Sequence, residues 1–395
     1  MKFNLRNEKD LTTPMEPLID TQEFLALSSF LNYQLSGEPI NWRGIHNLMV
    51  PEIPDGEKQD ILLDALRYLG SAYGGQKRRL GPLAILHPIR ATTLFARAHR
   101  GECSLLELLT VLLHDKDEDI VAEQYKPENW SSLTEQFNVF LEKLDDGNRQ
   151  HLLRNIEFLT KAPAEKYYVY LDRLFEQAKK EPVLAAIKMA DRLDNTLDLR
   201  VDLHDFTDNS RCYQIIFDVL FLRTYTGFKS GQPHPISRKI NGAMRLYQLY
   251  KNAVFLSLLR HKEVELSPVA SKLFSSLAVA SIREAQTILM HIFAFHLKAP
   301  EEQRNLLMDV MSYSHAGGFE QISSGAGRHR LDGLFKTRFE FQDKESKQKG
   351  LASLYADKTL MGQTALGFII IFANFINDRH FTIKGISASG IIPQI

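Results

Sequence analysis

The apolar run from Leu105 to Leu113 is the feature that most constrains the fold of this chain. It is rich in leucine and contains neither glycine nor proline, which is typical of a buried helix. His114-Asp115 and Glu118-Asp119 follow it directly. If the helix continues, His114 and Glu118 are i,i+4 neighbours, and one face carries an imidazole and two carboxylates at the end of a hydrophobic rod. Such a face predicts part of a divalent-cation site.

Two other segments bring the same residue types to the ends of apolar stretches. His87 lies in Leu86-His87-Pro88, shortly after the basic loop 76–82. Farther along, the apolar run 183–190 leads into Asp191, so a second apolar helix carries an acidic residue to its end. A second histidine near the face that carries His114 would add another nitrogen donor to such a cation site.

No segment alternates apolar and polar residues with a period of two, so we expect an all-α fold. Helical spacing predicts helices over 21–33, 58–73, 84–98, 167–180, 240–259 and from the N-cap Ser267 to Phe295. The polar stretch 121–150 is expected to form loops between shorter helices. Residues 365–376 are strongly apolar but short of the roughly 20 residues that a membrane span needs, which favours a buried helix.

Composition and punctuation predict three segments in an ordinary soluble protein. We expect an N-terminal helical extension (1–57), a central helical domain (58–205) and a helical C-terminal domain (206–395). Of the 395 residues, 44% are hydrophobic and 24% are charged, and Lys+Arg 48 balance Asp+Glu 48, so global charge does not favour a nucleic-acid partner. Two cysteines exclude a disulfide framework and a thiolate metal site. The N-terminus has no apolar core typical of a signal peptide, so we expect a cytoplasmic protein without a membrane partner.

Four motifs follow one another in the first half of the chain: 75–82 (GQKRRLGP), His87-Pro88, His114-Asp115 with Glu118-Asp119, and 188–195 (KMADRLDN). Taken together, they resemble the hydrolase (HD) domain of the RelA/SpoT homologues. That family removes the 3′-pyrophosphate from the alarmones ppGpp and pppGpp, and the resemblance covers roughly residues 58–200. The C-terminal half shows neither the synthetase signatures nor the regulatory domains of the family. The chain therefore resembles a stand-alone small alarmone hydrolase with an extra helical domain.

The resemblance implies a ligand set and a catalytic pair. The implied metal ligands are His87, His114, Asp115 and Asp191. Mn²⁺ is the usual metal of the family, and the mixed nitrogen and oxygen donors suit Zn²⁺ or Fe²⁺ as well. Glu118 is assigned as the base or water-positioning group and Asp119 as its partner, although the reverse assignment stays open.

The resemblance also implies a substrate clamp. Lys77, Arg78 and Arg79 would hold the nucleotide, with Arg78 stacked on guanine and Arg79 on a phosphate, since arginine offers both a planar face and bidentate contacts. Asn195 matches a position at the ribose, and Asp198 matches a polar position near the nucleoside. Leu197 replaces an arginine common in the family, and Leu80 replaces a small polar residue, which leaves the nucleotide preference open.

The expected reaction converts ppGpp or pppGpp into GDP or GTP and pyrophosphate. Two alternatives are weighed against it: an HD-family phosphohydrolase acting on ppApp or a nucleoside monophosphate, and a non-catalytic alarmone-binding module. The first has less use for the basic loop, and the second typically loses a ligand or the acidic pair. The C-terminal helices are expected to serve oligomerisation, to cover the active site or to regulate it.

Overall fold

The computed structural model describes residues 18–50, 56–78, 83–100, 102–198, 241–323 and 327–391. Within these ranges α-helices joined by turns and loops make up the fold, with short 3-10 helices, one two-stranded antiparallel ribbon and one isolated bridge besides, which confirms the all-α prediction. The first half contains α1 (Thr21–Leu35), α2 (Trp42–Met49), α3 (Gly56–Tyr73), α4 (Leu86–Ala98), α5 (Leu105–Leu112), α6 (Lys116–Asp119), α7 (Pro127–Leu141), α8 (Asp146–Leu159), α9 (Tyr167–Ala178) and α10 (Val183–Asp198).

The second half contains α11 (Gly242–His261), α12 (Pro268–Phe295), α13 (Pro300–His315), α14 (Leu334–Arg338), α15 (Lys344–Ala356) and α16 (Lys358–Asn377). Strands β1 (Ile386–Ser387) and β2 (Gly390–Ile391) pair near the end of the chain. Ser267 caps α12 by accepting a hydrogen bond from the amide of Ala270, and Pro268 opens the helix, as its sequence predicts.

The helix that leads to His114 does not continue through it, so the expected shared helical face is wrong. α5 ends at Leu112, a turn follows, and the four-residue α6 begins only at Lys116. Consecutive residues of a regular helix point about 100° apart. A continuous helix would therefore separate the side chains of His114 and Asp115, whereas the turn brings them together.

The polar stretch 121–150 is more helical than its composition suggests. Pro127 occupies the first turn of α7, and Asp145 caps α8 by accepting a hydrogen bond from the amide of Asn148. Residues that indicated loops therefore mark helix starts. Exposed polar faces hid the helical period, since α7 buries only four side chains: Leu133, Phe137, Phe140 and Leu141.

The apolar segment near the C-terminus forms a longer helix than expected. α16 has 20 residues and is, in the part of the chain that the structure describes, the one helix long and apolar enough to cross a membrane. The helix is therefore longer than the apolar segment 365–376 predicted, and its length does not exclude a membrane span. Burial favours a core helix all the same, because 67% of its most apolar window lies inside the protein.

One continuous hydrophobic core joins the three predicted segments. α10 packs against α4 on one side and α12 on the other, and α12 packs in turn against α16. The amide of Leu18 donates a hydrogen bond to Ser276, which ties the N-terminal extension to α12. α3 begins at Gly56, close to the predicted boundary at 57/58, and the predicted boundary at 205/206 lies outside the described residues.

Candidate metal centre

Four side chains from three places in the chain meet at one buried point. His87, His114, Asp115 and Asp191 each direct one ligand atom inward, and these atoms all lie within 4.8 Å of one another. His87 Nε2 lies 3.1 Å from Asp115 Oδ2 and 3.2 Å from Asp191 Oδ1. His114 Nε2 lies 3.2 Å from Asp115 Oδ2. This set can bind a metal ion, and it is the ligand set expected from the sequence.

The helices explain why these residues converge. His87 lies in the first turn of α4, and Asp191 lies on the face of α10 that packs against it. The turn between α5 and α6 adds His114 and Asp115. Because each residue is anchored to an element with a largely apolar buried surface, the cluster is held by packing as well as by its own contacts.

His114 carries the clearest sign that a cation belongs here. Its Nδ1 donates a hydrogen bond of 2.7 Å to the carbonyl of Val111, which fixes the ring. Its Nε2 is buried and makes no hydrogen bond, although it faces the Asp115 carboxylate at 3.2 Å. A buried polar atom without a hydrogen bond is costly, and ligation by a metal ion would satisfy it. The residues present therefore fit a divalent cation.

His87 is oriented by a buried ion-pair network behind it. Its Nδ1 donates a hydrogen bond of 2.7 Å to Asp194 Oδ2. Arg90, whose side chain is fully buried, binds Asp194 through Nε at 2.8 Å and Asp198 through Nη2 at 2.8 Å. A carboxylate behind a ligating histidine fixes the tautomer that presents Nε2 to the metal.

The electrostatics of the cluster call for positive charge. Burial favours neutral forms, but the carboxylates of Asp115 and Asp191 outweigh it and raise the pKa of His114 to about 9. The pKa of His87 is likewise held well above its usual range by Asp115, Asp191 and Asp194, against burial and the charge of Arg78. Burial alone would raise the pKa of each of the two carboxyls, yet their cationic neighbours hold both well below the usual range. Protonation of the histidines compensates the negative charge of the carboxylates, and a divalent cation bound at the same place would compensate it as well.

Glu118 and Asp119 lie on α6, immediately beyond the ligands. The backbone amide of Lys161 donates a hydrogen bond of 2.7 Å to Glu118 Oε1, and the Tyr73 hydroxyl donates one of 2.8 Å to Asp119 Oδ2. Both side chains reach solvent, so their desolvation is partial. That desolvation is the main cause that raises the pKa of both carboxyls, and the nearby charge of Asp115 raises them further.

Arg78 and Asn195 connect the basic loop to the cluster. Arg78 Nη2 donates a hydrogen bond of 2.7 Å to Asn195 Oδ1, and Nη1 lies 3.3 Å from Asp198 Oδ2. Asn195 Nδ2 in turn donates to Asp191 Oδ1 at 2.5 Å. Asp198 is buried between Arg78 and Arg90, which makes it a support for Arg78.

The rest of the predicted clamp is only partly described. Lys77 is exposed, and its backbone pairs with that of Leu83 in an isolated bridge that closes the loop before α4. Arg79 and Leu80 lie outside the described residues.

Four residues of the site had no role assigned from the sequence. Asp194 and Lys188 lie within a recognised motif, but nothing in the sequence shows that Asp194 supports His87 or that Lys188 Nζ lies 2.8 Å from Asp191 Oδ2. Arg90 and Tyr73 carry no motif signal at all. Arg90, on an otherwise largely apolar face of α4, was the one available hint, because a buried arginine demands carboxylate partners.

No family model, no curated protein and no solved structure matches the chain. The resemblance to the alarmone hydrolases therefore rests on the motifs quoted from the sequence.

Proposed function

We propose that the protein is a metal-dependent hydrolase of the HD type that removes the 3′-pyrophosphate from ppGpp and pppGpp, leaving GDP and GTP. The observation that carries the proposal is the continuous contact from Arg78 through Asn195 to Asp191. It links a residue suited to nucleotide binding directly to a candidate metal ligand. A purely structural ion cluster has no need of such a link.

The ligand set supports a divalent cation of borderline hardness. His87, His114, Asp115 and Asp191 would hold it, and Mn²⁺ is proposed, with Zn²⁺ or Fe²⁺ also compatible with two imidazoles and two carboxylates. Such a cation, when bound, supplies Lewis acidity and lowers the pKa of water. The buried Lys188 offsets part of the negative charge of Asp191, so the bound cation has less negative charge to neutralise.

The acidic pair supports a role in proton transfer. Glu118 accepts the proton of the attacking water, and the amide of Lys161 holds its carboxylate in place. Asp119, fixed by the hydroxyl of Tyr73, orients the same water. A raised carboxyl pKa brings a base closer to neutrality, where proton acceptance is most effective.

Arg78 is assigned to stacking on the base. Its Nη2 is bonded to Asn195, while Nη1 lies 3.3 Å from Asp198 Oδ2 without a hydrogen bond. One quarter of the side chain is exposed, and a guanidinium group offers a planar surface for stacking. Lys77 is exposed, and Lys77 and Arg79 are both assigned to phosphates by the resemblance alone.

Product analysis tests the proposal. The full chain loaded with Mn²⁺ is incubated with ppGpp, pppGpp, ppApp and a panel of nucleoside monophosphates, and the products are resolved by anion-exchange chromatography. The proposal predicts GDP or GTP with intact pyrophosphate, and no turnover in excess EDTA. Orthophosphate as the primary product would indicate a monophosphatase, and binding of ppGpp without turnover would indicate a sensor. Either result overturns the proposal.

A further inference from the structure

A second group of cationic and aromatic side chains lies next to the metal centre, on the side formed by the C-terminal half. We call it the Lys251 cluster. Lys251 comes from α11, and its Nζ lies 5.2 Å from the ring centre of Tyr167 at the start of α9. The members are Tyr167, Arg192, Tyr247, Lys251 and Lys347.

Lys251 differs from Lys188 and Lys262 in forming no ion pair with a carboxylate among the described residues. Lys188 is paired with Asp191, and Lys262 is paired with Asp172 and Glu176. The Lys251 ammonium lies against the Tyr167 ring and near the positive charges of Arg192 and Lys347, and Asp191 contributes an opposing negative charge without an ion pair. Burial, followed by the charges of Arg192 and Lys347, lowers the pKa of Lys251 to about 7. A cation kept in such surroundings lacks an anion.

Tyr167 supplies a second group without a partner. Its hydroxyl is buried and makes no hydrogen bond, although the other tyrosines of α9 do: Tyr168 contacts Tyr250, and Tyr170 donates to the carbonyl of Leu159 at 2.6 Å. The Tyr167 hydroxyl lacks a hydrogen bond and the Lys251 ammonium lies against the ring of the same tyrosine, and both groups are donors that the oxygens of a phosphate group accept.

The cluster adjoins the metal centre through neighbouring residues of α9, α10 and α11. Arg192, the residue after Asp191, donates through Nε to Asn252 Oδ1 at 2.9 Å and through Nη2 to the carbonyl of Gln248 at 3.2 Å. These two partners flank Lys251 on α11. On the other side, Lys188 Nζ lies 5.6 Å from the ring centre of Tyr170, whose ring lies 6.4 Å from that of Tyr167.

The cluster is also within reach of a solute. Tyr167, Tyr247, Lys251 and Lys347 are each partly exposed, so the cluster lies at the protein surface and not in the closed core. A ligand that spans both sites needs one anionic group at the metal and a second one a short distance away. A nucleotide with two pyrophosphate groups meets that requirement.

We propose that Lys251 and Tyr167 form a phosphate-binding subsite that holds the pyrophosphate not undergoing cleavage. The inference rests on the proposed function for the identity of the substrate. It gives the C-terminal half a direct part in substrate binding, since α11 supplies the cation. The charge of Arg192 reinforces the site while its own hydrogen bonds keep it docked on α11.

Binding of inorganic pyrophosphate to the full, Mn²⁺-loaded chain tests the subsite by isothermal titration calorimetry. Lys251→Met should raise Kd about tenfold or more, the usual effect of removing a charged hydrogen-bond donor, and Lys251→Arg should retain most of the affinity. Lys349→Met, which removes an exposed lysine paired with Glu345 on α15, is the matched control and should leave Kd unchanged. Tyr167→Phe should raise Kd severalfold, and because the lost hydroxyl has no hydrogen bond, this variant keeps the test valid should Lys251→Met fail to fold.

The outcomes separate this inference from the proposed function. If no nucleotide is hydrolysed but Lys251→Met still weakens pyrophosphate binding, the subsite stands and the assigned reaction fails. If ppGpp is hydrolysed while Lys251→Met and Tyr167→Phe leave both Kd and KM unchanged, the reaction stands and the subsite is overturned.

Discussion

Asn195 lies one helical turn after Asp191 on α10, and its Nδ2 donates a hydrogen bond of 2.5 Å to Asp191 Oδ1. The same amide accepts a hydrogen bond from Arg78 through its Oδ1. One side chain therefore fixes a candidate metal ligand and a candidate nucleotide contact at the same time. We expect metal binding and nucleotide binding to be coupled through it.

Replacing Asn195 tests that coupling. Asn195→Ala should lower the affinity for Mn²⁺ by about 10–100-fold, the usual effect of losing a group that orients a ligand, and should raise KM for ppGpp in parallel. Metal titration by calorimetry and steady-state kinetics measure the two effects. Asn138→Ala, an exposed position on α7, is the control. Unchanged affinity for Mn²⁺ would show that Asp191 needs no support from the amide.

His114 gives a test of the metal centre that does not depend on any reaction. A cation that binds only the folded chain raises its melting temperature. Mn²⁺ should therefore raise the Tm of the wild-type protein, and EDTA should remove the increase. His114→Ala should abolish the response, whereas His261→Ala, at the exposed end of α11, should preserve it. A full response of His114→Ala measured by differential scanning fluorimetry would place the cation elsewhere.

Glu118→Gln separates chemistry from binding. Glutamine keeps the oxygen that accepts the hydrogen bond from the Lys161 amide, so the loop geometry is preserved. If Glu118 accepts the proton, kcat should fall on the order of 10²–10⁴-fold while the affinities for Mn²⁺ and nucleotide stay close to wild type. Glu123→Gln, at an exposed position just after α6, is the matched control. An unchanged kcat would move the role of base to Asp119.

The sequence predicted the ligands better than it predicted their geometry. His87, His114 and Asp115 adjoin apolar stretches, and the resemblance to the alarmone hydrolases added Asp191, which lies within α10. The turn after Leu112 could not be predicted from the sequence. In it, His114 Nδ1 donates a hydrogen bond to the carbonyl of Val111, and the imidazole meets ligands from other helices. Local helix propensity does not encode such tertiary contacts.

The other residues of the site that were not predicted are those whose partners lie far away in the sequence. Arg90 is tied to Asp194 and Asp198, and Tyr73 to Asp119, across separations that periodicity cannot register. The C-terminal half shows the same limit. Its helices were largely predictable, but the position of Lys251 beside Tyr167 depends on how α11 packs on α9 and α10.

Arg90 is expected to be the most sensitive position for stability. It is fully buried, pairs with Asp194 and Asp198, and also donates to Ser28 Oγ at 3.2 Å. Arg90→Leu would leave two buried carboxylates without their main cation, which should cost about 3–5 kcal/mol. Arg67→Leu removes an exposed i,i+3 pair with Asp64 and should cost less than about 1 kcal/mol. Urea unfolding measures both variants, and equal losses would contradict the buried network.

Lys251 should make the stability of the unliganded protein depend on pH. Burial, Arg192, Lys347 and Lys188 oppose its charge and Asp191 favours it, with the net result that its pKa falls from the ordinary 10.5 to about 7. Between these values the unfolded chain holds a proton that the folded chain does not. The destabilising contribution of Lys251 to the free energy of unfolding is therefore complete below about pH 7, and it disappears as the pH rises toward the pKa of the unfolded chain.

The comparison of Lys251→Met with the wild type isolates this effect, because the other titrating groups cancel in the difference. The substitution should stabilise the protein by about 2 kcal/mol more at pH 6 than at pH 9.5, a figure reduced from the full linkage value for the partial exposure of the side chain. Urea unfolding at the two pH values gives the difference. Lys349→Met should show no such dependence, because Lys349 is exposed and paired with Glu345. The same difference at both pH values would mean that Lys251 is charged throughout, with an anionic partner already at hand.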